Sequence, residues 1–252
     1  MPQQMPLLAM VALNTPTLPS PAALKASFNT LSGIAIDLQS LHSKDGNMVF
    51  DLGNDKAGIA LMSAPIPWAN LEGPCATAYW WPDAAEKMKK HTSHILIALV
   101  GEKGNLVRRS ITLTHLTAAI ALNTDVAGIY WGGGALVHEP RAFIEQAKNL
   151  SSHDLPLNLW VDFRLEPNED GSHRLFTTGM RRFNHEEIEI VHSTKTPAEI
   201  IDFACSIANY VITSEKTIQN GETIGRSEEE KATVQYVPSM LDSNTTVMQL
   251  DF

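Results

Sequence analysis

The stretch Gly128–Phe143, "GIYWGGGALVHEPRAF", decides how the chain is divided. Three consecutive glycines, Gly132, Gly133 and Gly134, stand between an apolar run and a helix opened by Pro140. A phosphate loop of the Walker kind ends in Gly-Lys-Ser/Thr, but here the chain continues "ALV". A dinucleotide fingerprint needs its third glycine where Val137 stands. An oxyanion loop of His-Gly-Gly-Gly type needs a Gly-x-Ser-x-Gly nucleophile, and the sequence has none. The glycines therefore read as a tight strand-to-helix turn or as a point of close backbone packing.

Working outward, period-two apolar patterns mark strands before and after this stretch. They fall at Leu7–Leu13, Ile34–Leu41, Met48–Leu52, Ala57–Ser63 and Ile95–Val100. A second set falls at Val126–Trp131, Leu157–Leu165, Arg174–Phe183, Glu187–His192 and Thr233–Val237. Helices fit between them. Ser20-Pro21 and Thr196-Pro197 are cap-plus-first-turn pairs, and Asn105 caps "LVRRSITLTHLTAAIALN". "PDAAEKMKKH", Pro82–His91, carries its acids early and its lysines late, as the helix dipole favours.

The two sets share one element order. The expected fold class is α+β: two similar ferredoxin-like units, mostly antiparallel with helices on one face, joined by a helix. The boundaries drawn are 1–104, a connecting helix at 105–125, a second unit at 126–237 and a tail at 238–252. Asp37 and Asp162 occupy matching places in the two halves. The tail after Ser214 reads as a long loop or as a short exposed helix around Ser227–Lys231, where Ser227 followed by Glu230 has capping-box spacing, and the final segment either docks a last strand or stays mobile.

Composition bounds the function. The chain has 252 residues, 44 % of them apolar, and a formal net charge of −9. A phosphate backbone needs a Lys/Arg footprint that is missing, so a nucleic-acid partner is not expected. The longest apolar runs, such as "HILIALVG", are too short to span a bilayer, so no membrane role is expected. The N-terminus lacks a basic region and reads as strand and turn, not as a signal peptide. Two distant cysteines, Cys75 and Cys205, indicate a reducing cytoplasm and packing thiols.

Three segments carry a family likeness. "FTTGMRRFNHEEIEI" (Phe176–Ile190), "AEIIDFACSIANYVI" (Ala198–Ile212) and "NGETIGRSEEEKATVQY" (Asn220–Tyr236) resemble the bacterial domain-of-unknown-function family 4261, over roughly Leu157–Val237. The Gly-Glu-Thr-x-Gly piece at Gly221–Gly225 is the most specific part, and the block Ala76–Gly101 resembles the N-terminal half of longer members. The resemblance implies a bacterial cytosolic protein and supplies no catalytic residues.

The remaining motifs favour binding over catalysis. No cofactor or metal is expected: the nine histidines are scattered, and His91 and His94 lack a third ligand at metal spacing. "HEEIEI" places Glu187 and Glu189 on one strand face, and "RSEEEK" adds Glu228, Glu229 and Glu230. These five acids are the candidates for steering a protein partner, such as a basic toxin, toward an immunity or inhibitor protein. "YWWPD", Tyr79–Asp83, reads as core aromatics, or as an interface anchor if exposed. The alternative is an enzyme or small-ligand protein with a pocket between the halves, lined by Arg108, His115, Gly132, Gly133 and Gly134.

Overall fold

The computed structural model describes residues 6–34, 36, 40–101, 105–150, 155–214, 218–227 and 230–252. The Asp37 echo and half of the strand expected at Ile34–Leu41 lie outside the described residues. The class is α+β, with two sheets dominated by antiparallel pairs. The chain divides into two compact units, Met1–Leu159 and Trp160–Phe252.

The first unit runs β1 (Leu7–Leu13), α1 (Pro21–Ser32), β2 (His42–Lys44), β3 (Asn47–Leu52), β4 (Asp55–Met62), α2 (Trp68–Ala76) and α3 (Ala84–Lys90). It continues through β5 (Ser93–Gly101), α4 (Leu106–Ala121), β6 (Val126–Trp131), β7 (Leu136–His138) and α5 (Pro140–Asn149). The units divide within a helical turn, α6 (Leu157–Trp160). The sheet order is β2-β3-β4-β5-β1-β6-β7, every pair antiparallel. The sequence reading drew its junction at 105–125. The β6 strand pairs with central β1, Ala12 opposite Gly128 and Val11 opposite Ile129, so the first sheet continues past α4. Its seven strands exceed the four of a ferredoxin-like unit.

Helices cover both faces of this sheet, where one covered face was expected. On one side Trp131 of β6 meets Phe143 of α5, ring centroids 6.4 Å apart, and α4 packs on β1 and β5. On the other, Ala12 and Val137 join Leu71 and Cys75 of α2 and Ala84 and Met88 of α3 in one apolar cluster with Trp81. Alternation along β1 explains it: successive side chains are buried on opposite faces. A strand buried on both sides reads as a continuous apolar run and does not reveal how many layers cover it.

Gly128 sets the second layer. A Cβ there would lie 2.3 Å from Met88 Sδ and 2.8 Å from the Trp81 ring. The bare backbone of β6 is therefore the seat on which α3 and Trp81 rest. The triple glycine itself forms a hairpin turn between β6 and β7, not a strand-to-helix turn. Gly132 fits the close-packing reading: its added Cβ would be 3.1 Å from the Leu8 carbonyl oxygen, and left-handed φ falls on Ala135 (51°).

Caps fall where the sequence placed them. Ser20 Oγ accepts from Ala23 N–H (3.2 Å) and Asn105 Oδ1 from Arg108 N–H (2.9 Å). Glu139 caps α5 by accepting from Ala142 N–H (2.6 Å). Between α4 and the sheet, Arg109 Nε lies 2.9 Å from Asp55 Oδ1, and Arg109 Nη2 donates to the Leu99 carbonyl (3.0 Å). Both side chains are nearly inaccessible, at 1 % and 5 % exposure. Removing one partner of such a pair costs about 3–5 kcal/mol, because the other charge stays buried.

The second unit runs β8 (Asp162–Pro167), β9 (His173–Thr178), a 3₁₀ turn (Met180–Phe183), β10 (Ile188–Ser193), α7 (Pro197–Thr213), β11 (Thr223–Gly225), β12 (Lys231–Pro238) and β13 (Thr246–Asp251). The order is β11-β12-β13-β10-β9-β8, with β10 and β13 parallel and the other pairs antiparallel. Thr196 and Glu199 cap α7 reciprocally in a capping box. The last strand docks, and Phe252 stacks on Phe203 of α7 with centroids 3.7 Å apart. Of the stretch Ser227–Lys231, Glu228 and Glu229 lie outside the described residues; Arg226 N–H donates to Glu230 O (3.0 Å), and Lys231 begins β12.

Two predictions follow from the first unit. Gly128→Ala should lower unfolding free energy by about 1–3 kcal/mol through overpacking. A urea melt that matches wild type would contradict the seat. The second concerns pH. His91, His115 and His138 each donate to a backbone carbonyl (of Met88, Ala147 and Leu159), and burial lowers all three imidazoles, His138 to about 4. The unfolded histidine, near 6.5, takes up its proton first as pH falls. The stability these groups contribute is therefore full above pH 6.5 and lost progressively toward about 4. His138→Gln should flatten the loss measured between pH 6.5 and 5.

Candidate partner-binding surface

Glu187 and Glu189, two of the acids singled out in the sequence, are engaged within the fold. Glu187, just before β10, accepts from Thr177 Oγ1 (2.8 Å) and from the N–H groups of Gly179 (2.9 Å), Met180 (3.2 Å) and Arg181 (3.3 Å). Its carboxylate closes the 3₁₀ turn. Glu189 is 2 % exposed and accepts from Ser239 Oγ (2.5 Å) and Met240 N–H (3.0 Å). Strand alternation predicted a solvent face for both. Instead the backbone at Gly179–Arg181 supplies the donors for Glu187, and the Ser239–Met240 turn covers Glu189. Glu230 is ion-paired with Arg226 across the β11–β12 turn, and Glu228 and Glu229 lie outside the described residues.

The residues of the alternative pocket serve packing. His115 is buried and ties α4 to α5 through the Ala147 carbonyl (3.1 Å). Thr112 is also buried and donates back to the Arg108 carbonyl (2.9 Å). Arg108 is half-exposed, 3.8 Å from Asp55 Oδ2. Gly132, Gly133 and Gly134 sit in the β6–β7 hairpin turn. Burial pushes the Cys75 thiol up to about 11, and burial with the nearby Asp202 charge does the same for Cys205. Both are protonated near neutrality and poor nucleophiles. Among the described residues no group of three or more His, Cys, Asp or Glu could hold a metal ion.

What the surface does display is aromatic. In the turn between α2 and α3, Trp81 is 8 % exposed, while Tyr79 is 62 % and Trp80 90 % exposed. "YWWPD" thus divides: Trp81 is a core aromatic, and its two neighbours are exposed. The turn is fixed by hydrogen bonds from Tyr79 N–H to Thr77 O, Trp81 N–H to Ala78 O and Ala84 N–H to Trp81 O, each 2.9 Å. Trp81 is clamped over Gly128, so the backbone presenting Trp80 is held from below. Beside it on the same helical layer, Lys89 Nζ sits 4.5 Å over the Trp68 ring.

In the second unit, the Gly-Glu-Thr-x-Gly piece forms edge strand β11 and one wall of a groove with Ser206 and Tyr210 of α7. Gly225 is required there, since an added Cβ would lie 2.1 Å from the Glu230 carbonyl oxygen. This motif builds the hairpin and brings no reactive group.

A family model described as "Domain of unknown function (DUF4261)" matches residues 176–251, from within β9 through β13. The second unit is thus similar to that family over most of its length, and the block Ala76–Gly101 lies outside the match. No curated protein and no solved structure matches the chain. No helix of the described residues is long and apolar enough to cross a membrane.

If Glu189 is an internal clamp, Glu189→Gln should destabilise the fold. An amide keeps one acceptor oxygen and turns its N–H₂ toward the other of the two donors. The expected loss is about 1–3 kcal/mol, against about 0.5 kcal/mol or less for a surface acid. A denaturation midpoint unchanged in Glu189→Gln would return this residue to the surface.

Proposed function

We propose that the protein works by binding another protein, with Tyr79 and Trp80 as the anchor. The observation that carries this reading is the 90 % exposure of Trp80 on a turn whose next residue is locked in the core. An indole in water forgoes a large burial gain, and a rigid turn spares the entropy of ordering it on contact. Trp and Tyr are the residues most enriched among binding hot spots. Both cysteines are free thiols, which suits a reducing compartment. The setting we propose is the bacterial cytoplasm, and the role that of an immunity or inhibitor protein covering a toxin's surface. The net charge of −9 supports solubility and long-range attraction of a basic partner. The contact residues, however, are taken from the aromatic turn and not from Glu187 and Glu189.

The test is comparative capture from the native host. Wild type and Trp80→Ala are immobilised, retained proteins are identified by mass, and the shared partner is titrated against both. Trp80 makes few contacts within the fold, so the variant should melt like wild type. Its affinity should fall by about 2 kcal/mol or more, roughly thirtyfold. Equal affinity would remove the aromatic turn from the function.

A further inference from the structure

Next to the aromatic turn, the first unit carries a groove whose charge opposes that of the whole chain. Its floor holds Trp81, Val126 and Ala127, with Leu122 (46 % exposed) and Ile144 as further apolar surface. The β7 ladder covers only Ile129–Trp131, so the outer edge of Val126–Gly128 has no strand partner among the described residues. The rim carries Lys87 and Lys90 from α3 and Arg141 and Lys148 from α5, against Glu139 and Glu145. Both carboxylates are engaged, Glu139 as the α5 cap and Glu145 with Lys148 (2.6 Å). Lys90 is held by Glu86 (2.6 Å). Lys87 and Arg141 are exposed and form no ion pair among the described residues.

We infer that this groove receives an acidic segment of the partner protein, with apolar side chains against Trp81, Val126 and Ile144 and carboxylates on Lys87 and Arg141. The inference rests on the protein-binding reading and names the chemistry of what binds beside Trp80. Charge complementarity selects the occupant: in a chain of net charge −9, a groove whose cations outnumber its carboxylates disfavours a basic segment. The apolar floor asks for apolar residues interleaved with the acids, which a plain polyanion lacks.

The probes are two fluorescein-labelled peptides, one alternating Glu and Val and one alternating Lys and Val, read by anisotropy with the full chain. The Glu peptide should bind and weaken with salt, and the Lys peptide should not bind. Lys87→Gln with Arg141→Gln should weaken the Glu peptide by about tenfold or more and flatten its salt dependence. Both positions are exposed, and a thermal melt checks that the double variant is folded. Equal binding of both peptides, no binding of the Glu peptide, or an indifferent double variant overturns the inference. Competition by a single-stranded oligonucleotide as strong as by the Glu peptide overturns it in favour of a general polyanion surface. The captured host partner separates the two readings. Loss of its binding in Trp80→Ala but not in the double variant sinks the groove alone. Loss in neither sinks both.

Discussion

The first unit depends on an absent side chain. Because Gly128 has no Cβ, Met88 and the Trp81 ring descend onto β6, and α2 and α3 form a second helical layer on the sheet. That contact fixes the turn before α3. With Trp81 consumed by the core, the turn has no apolar cover left for Tyr79 and Trp80, which face water. One steric fact therefore leads from strand to layer to displayed aromatic pair. Restoring a methyl group at Gly128 would disturb all three.

A second pattern unites the two units: polar groups that might have been functional are used as internal fasteners. Asp55 and Arg109 lock α4 to β4 and β5 of the sheet. His91, His115 and His138 donate to carbonyls that would otherwise be buried without partners. Glu187 and Glu189 do the converse job for N–H groups. Buried polar groups left unpaired are expensive, so each of these has a structural reason sufficient in itself. Tyr79, Trp80, Lys87 and Arg141 are among the described groups that carry no such internal duty.

Much of the fold was legible. Caps at Ser20, Asn105 and Thr196 act locally, through a side chain reaching two or three residues ahead, and local rules recovered them. Strands with clear alternation, such as Leu7–Leu13 and Val126–Trp131, were found with their ends nearly right. What failed was non-local. Nothing at residues 105–125 reveals that β6 returns to pair with β1. Alternation predicted exposed faces for Glu187 and Glu189, but the nearby turn at Gly179–Arg181 engages the first and the distant Ser239–Met240 turn covers the second. Helix α2 went unseen because Pro74 and Gly73 lie inside it. The site was half legible: "YWWPD" stood out as aromatic, yet only the packing of Trp81 on Gly128 tells which ring is buried. The groove could not be read at all, since its cations come from α3 and α5, separated by some fifty residues.

The central claim is that Trp81 is locked inside and Trp80 held outside for a partner to cover. Hydroxyl-radical footprinting measures both rings in one sample, with and without the partner captured from the host. The account predicts rapid oxidation of Trp80 and slow oxidation of Trp81 in the free protein, and selective protection of Trp80 on binding. Slow oxidation of Trp80 in the free protein, or unchanged oxidation in the complex, would contradict it.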